Sequence, residues 1–153
     1  MTATDTEISR TTPATSTTGK PRGSTLFAAL VGLTGLAIVL QGLWAGIFLE
    51  HDGARDSAGR WIDVHARGGD VAIMLALAAT VVAFVTMRAR RDLWVGGAGL
   101  VVALVLEAYL GGLIRDDSRD TLTAVHVPLA MVILCLVGWL SARATRGART
   151  PWR

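Results

Sequence analysis

The stretch "VHARGGDVAIMLALAATVVAFVTM", Val64–Met87, decides the fold. Beyond Asp70 it carries no charge, and apolar residues fill every face of any helix drawn through it. At ~1.5 Å rise per residue the run spans about 36 Å, enough to cross a hydrocarbon core of ~30 Å. Lipid satisfies no backbone hydrogen bonds, so a run of this kind must be helical.

Working outward, three further runs have the same character: about Thr25–Leu49, Leu93–Ile114 and Thr121–Leu140. The 153-residue chain is 52% hydrophobic with a mean hydropathy of +0.48, which fits a chain that lives in a bilayer. The connections "RARRD" and "RDDSRD" are tight, so neighbouring helices must run antiparallel. The expected fold is therefore all-α: a polytopic membrane protein with an antiparallel up-down four-helix transmembrane bundle. Its helices are expected at about 25–49, 64–87, 93–114 and 121–142, within a domain of residues 24–143.

Residues 1–23 are rich in Thr, Ser and Pro without apolar periodicity, and read as a disordered tail; residues 144–153 read as a basic tail. The first apolar run is longer than a secretory h-region and reads as a retained signal anchor. Cys135 is the single cysteine, so neither an intramolecular disulfide nor a cysteine-built metal site is expected.

Charge gives the orientation. Arg10, Lys20, Arg22, Arg88, Arg90, Arg91, Arg143, Arg146, Arg149 and Arg153 fall on one side of the bundle. Only Arg55, Arg60, Arg67, Arg115 and Arg119 fall on the other, among eight acids. The positive-inside rule places both termini in the cytoplasm of a multi-pass cell-membrane protein. The basic balance thus reads as topology, and nucleic acid is not an expected partner. The expected partners are the lipid bilayer and, beyond it, a second copy of the chain or a respiratory redox protein in the membrane.

Several details give local expectations. Ser118 or Asp120 is the expected N-cap of the fourth helix, with Pro128 in its first turns. Gly42 and Gly46 have the spacing that lets helices approach closely, although glycine is also simply common in membrane helices. Trp44, Trp94 and Trp139 lie near helix ends and suit an interfacial belt.

Ionisable groups within a bilayer cost on the order of 2.5–3.5 kcal/mol at its centre, which makes each a functional candidate. Here they are His65, Asp70, Glu107 and His126, with Gln41 as a neutral fifth. His65 and His126 each stand near the outer end of helices that run in the same direction, so they share a depth. The second and fourth helices of an up-down bundle are diagonal, so inward-facing side chains there meet across the core. Two imidazoles so placed suit the axial ligands of a b-type haem used for electron transfer or haem handling. Small neighbours leave room for a macrocycle, and Arg67 and Arg115 are candidate partners of its propionates. The other reading makes both histidines interfacial residues of a haem-free structural or accessory subunit. His51 reads as solvated.

Glu107 in "LVLEAYLGGLI" stands about two turns from the end of its helix among apolar residues. Gln41 lies at similar depth and is its expected hydrogen-bond partner. A proton-handling or haem-neighbouring carboxylate is the alternative role for Glu107, and a proton-coupled transporter a third functional class. Asp70 is expected to pair with Arg67.

The runs "DVHARGGDVAIMLALAATVVAF" and "LEAYLGGLIRDDSRDTLTAVHVPLAM" resemble one four-helix half of the haem A synthase family. The resemblance covers roughly residues 40–140. It implies His65 and His126 as axial ligands, and a dimer that would rebuild the family's eight-helix arrangement. The chain departs from the family at Ile62, where the family has a catalytic glutamate three residues before the histidine, and it lacks a loop cysteine pair. Haem hydroxylation is therefore not expected. The chain is also similar to small four-helix membrane proteins of unknown function from GC-rich Gram-positive bacteria.

Overall fold

The computed structural model describes residues 22–50 and 55–146. The two expected tails lie almost entirely outside these residues, and His51 lies outside them too. Helix α1 covers Arg22–Glu50, α2 Arg55–Thr86, α3 Arg91–Asp117 and α4 Thr123–Arg146, with a 3-10 turn at Asp120–Leu122 before α4. Each helix is long and apolar enough to cross a membrane. The fold is the all-α four-helix bundle expected of the sequence.

α2 begins at Arg55, well before the expected start at Val64, so much of the polar connection from Glu50 to Asp63 is helical. From Arg55 onward that segment has no proline and a single glycine, Gly59, and nothing in its polarity opposes a helix that extends past the lipid. Ser118 is not an N-cap. It sits at the C-terminus of α3 with φ 55°, and its N–H bonds to the carbonyl of Leu113. The N–H of Arg119 reaches the same carbonyl at 3.4 Å, so the left-handed residue ends the helix with both donors on one carbonyl. Pro128 lies within α4, where its ring removes the donor that Ala124 O would otherwise receive.

Contacts run from α1 to α2, α2 to α3, α3 to α4 and α4 back to α1. The diagonals are therefore α1 with α3 and α2 with α4. The buried seam follows one rule on every helix. α1 buries Phe27, Val31, Thr34 and Ile38; α2 buries Ala72, Ala76, Ala79 and Ala83. α3 buries Leu93, Gly97, Leu100 and Leu104; α4 buries Ile133, Val137, Leu140 and Ala144. Each set steps by four, three and four residues, the heptad spacing that keeps one narrow stripe facing its neighbours. The α2 stripe is entirely alanine, which lets α1 come close, and larger residues opposite fill the space. Thr34 spends its hydroxyl on Leu30 O at 2.9 Å and so adds no unpaired donor to the core.

Outside the stripe, large apolar side chains such as Met74, Val102 and Met131 are 64–69% exposed. Such a surface suits lipid rather than water. Gly42 and Gly46 face open space and mediate no contact. Close approach occurs instead where Gly97 meets Thr80 and Gly35 meets Val137.

The end of the bundle bearing the α2–α3 turn is fastened by charge. Asp92 accepts from Arg90 at 3.1 and 3.0 Å and from Arg143 at 2.9 Å, while Arg90 also donates to the Arg143 carbonyl at 3.0 Å. The Asp92 carboxylate holds the Arg90 guanidinium above its already high range. Trp94 packs edge-on against Phe84, and Arg143 lies 5.7 Å from the Trp139 ring centre.

Candidate functional site

The seam becomes polar at the opposite end. Gln41 and Glu107 each stand three residues beyond the last apolar seam residue, Ile38 and Leu104. His65 and His126 each stand seven residues before the first, Ala72 and Ile133. The same heptad rule that buries the core therefore aims all four polar side chains into the bundle.

The geometry follows from this register. The His65 and His126 rings meet across the diagonal with centroids 6.3 Å apart and planes inclined by 59°. His65 Nδ1 lies 3.1 Å from Gln41 O. A carbonyl can only accept, so Nδ1 carries the proton and the lone pair is on Nε2. His126 Nδ1 lies 3.2 Å from Glu107 Oε1. The two are close enough to interact yet not aligned as a hydrogen bond.

Glycine makes room for the imidazole of α4. A Cβ added to Gly111, four residues after Glu107, would lie 3.3 Å from His126 Cε1. Gly68 serves α1 in the same way, because a Cβ there would overlap Gln41 Nε2. The edge of Phe48 rests on His65 with centroids 5.6 Å apart, and Trp44 stacks on Trp61 at 5.5 Å. Trp44 is thus packed against α2.

The cluster is not self-satisfied. Among the described residues, Gln41 Oε1, both carboxylate oxygens of Glu107 and His126 Nδ1 are buried without a hydrogen-bond partner. Unpaired buried polar atoms cost about 1–3 kcal/mol each, and more when charged, so four at one level call for an explanation.

The expected bond between Gln41 and Glu107 is not formed. Glu107 faces His126 instead, and the Gln41 carbonyl faces His65. Asp70 and Arg67 are both exposed on α2 and make no ion pair with each other. Arg67 is two residues from His65, which turns it about 200° around the helix and away from the histidines. Arg115 stands one turn beyond Gly111, exposed and paired with Asp116 at 2.7 Å. Phe48, Gly68 and Gly111 carry no sequence signal of a site by themselves. Seam register, shared with Gln41 and Glu107, marks Phe48 and Gly111, whereas Gly68 lies one residue off the register of His65 and Ala72.

A haem between the two histidines can be tested against these residues. Two imidazoles on opposite faces of one metal place their centroids about 6 Å apart, from two metal–nitrogen bonds of ~2 Å and ~1 Å from each nitrogen to its ring centre. The observed 6.3 Å meets that requirement. The His65 tautomer leaves Nε2 free, and the buried acceptor beside His126 Nδ1 would impose the same tautomer there. The ring spacing and the His65 tautomer suit a pair of axial imidazoles. No family model, curated protein or solved structure matches the chain.

Proposed function

We propose that this chain is a multi-pass cell-membrane protein that binds b-type haem between His65 and His126, for electron transfer or haem handling. The observation that carries the reading is the depth-matched histidine pair, whose ring centroids stand 6.3 Å apart in the polar stretch of the seam.

In this reading His65 and His126 hold the metal through Nε2, Gln41 O fixes the His65 ring, and Gly111 gives the His126 ring its clearance. Haem held in this way supplies reversible one-electron chemistry. Phe48 and the apolar seam exclude water from one side. Arg115, once released from Asp116, is the nearer candidate for a propionate. The excess of Arg at the end bearing the α2–α3 turn supports cytoplasmic termini and a histidine end facing outward. The resemblance to half of a haem A synthase agrees with a haem-binding bundle, while Ile62 speaks against hydroxylation.

Haem quantification in detergent-purified protein, produced with ample haem, tests the proposal. About one haem per chain or per dimer is expected, falling to near zero in His65→Ala and His126→Ala. Undiminished haem in either variant rules that residue out as a ligand.

A further inference from the structure

Two histidines related by diagonal placement would be equivalent if their surroundings matched, and they do not. His65 Nδ1 faces a neutral backbone carbonyl, that of Gln41 at 3.1 Å. His126 Nδ1 faces the carboxyl of Glu107 at 3.2 Å. Both groups of that second pair are largely buried, with side chains 18% and 13% exposed. Neither oxygen of Glu107 has a hydrogen-bond partner among the described residues, so no competing donor draws the carboxyl away from the imidazole. The register that brings them together is strict, since Glu107 and Gly111 share one stripe of α3 and flank the His126 ring.

We infer that Glu107 is a positioning residue for His126, which orients that imidazole and sets how strongly it donates electrons to the haem iron. The inference rests on the haem reading above. Ligation through Nε2 requires the proton on Nδ1, and Glu107 is the acceptor within reach of that proton. A carboxylate oxygen is a stronger acceptor than an amide carbonyl, so a Glu107 carboxylate on Nδ1 makes His126 the more electron-rich of the two ligands. Greater donation favours ferric over ferrous iron, which lowers the reduction potential. Glu107 therefore acts through His126, and its role is separable from the retention of haem.

The test is a redox titration of wild type, Glu107→Gln and Glu107→Asp at one fixed pH, followed by visible absorption and by the ferric low-spin EPR signal. Glu107→Gln, nearly isosteric, is expected to keep its haem and the two-histidine spectrum while its midpoint potential rises and its EPR signal moves. Glu107→Asp retains a carboxylate and is expected to lie closer to wild type than Glu107→Gln does. An unchanged potential in Glu107→Gln overturns the inference and leaves the haem reading intact. An equal displacement in both variants also overturns it, because a loss of packing alone would have that effect. A wild type without haem overturns the haem reading and this inference with it.

Discussion

Gly111 lies against the His126 ring so closely that an added Cβ would stand 3.3 Å from Cε1. That distance is tight but can be relieved by a small shift, whereas a branched side chain cannot be accommodated without moving the imidazole. Gly111→Val is therefore expected to lose most of its haem while remaining a folded membrane protein. Gly112→Ala, at a position with open space around it, is expected to keep wild-type haem content. Equal haem content in Gly111→Val and wild type would show that the His126 ring does not need this clearance.

The alanine stripe of α2 gives a second expectation. Ala76 is fully buried, whereas Ala78 lies on the exposed face of the same helix. Forcing a leucine into the seam at Ala76 should cost about 1–3 kcal/mol through overpacking. Thermal unfolding in detergent should show a clear drop for Ala76→Leu and little change for Ala78→Leu. Similar melting of the two would mean that the heptad register is wrong.

At the other end of the bundle, Asp92 joins the α2–α3 turn to the last turns of α4 through Arg90 and Arg143. A carboxylate shared by two guanidiniums is worth more than an isolated surface pair, on the order of 1 kcal/mol after allowance for solvent screening. Asp92→Asn should lower the melting temperature, and added salt should narrow the gap to wild type. Asp116→Asn removes an exposed pair with a chain neighbour and should leave melting unchanged. A salt-independent gap for Asp92→Asn would assign its effect to something other than the ion network.

The architecture was legible because length and apolarity are enough to require a membrane helix, and tight connections such as that before Arg91 force neighbours to run antiparallel. The diagonal meeting of His65 and His126 followed from the same reasoning. The seam did not, because lipid-facing and core-facing residues are equally apolar here. Leu100 is buried and Val102 is not, yet hydrophobicity alone does not distinguish them. For that reason depth alone pairs Gln41 with Glu107, although Glu107 faces His126. The polar residues are themselves the register marks: extending the four-three-four spacing from Leu104 reaches Glu107 and then Gly111. Ser118 illustrates a different limit, since its polar side chain suits a helix N-cap as well as the left-handed stop that it forms.

The most direct test of the central claim is the oxidised and dithionite-reduced visible spectrum of the purified wild type beside His65→Ala and His126→Ala. A strong Soret peak with sharp reduced α and β bands in wild type, lost or converted to a high-spin form in both variants, is the expected result. A wild type that stays colourless after production with ample haem, or bands that persist unchanged in both variants, would contradict haem ligation by this histidine pair.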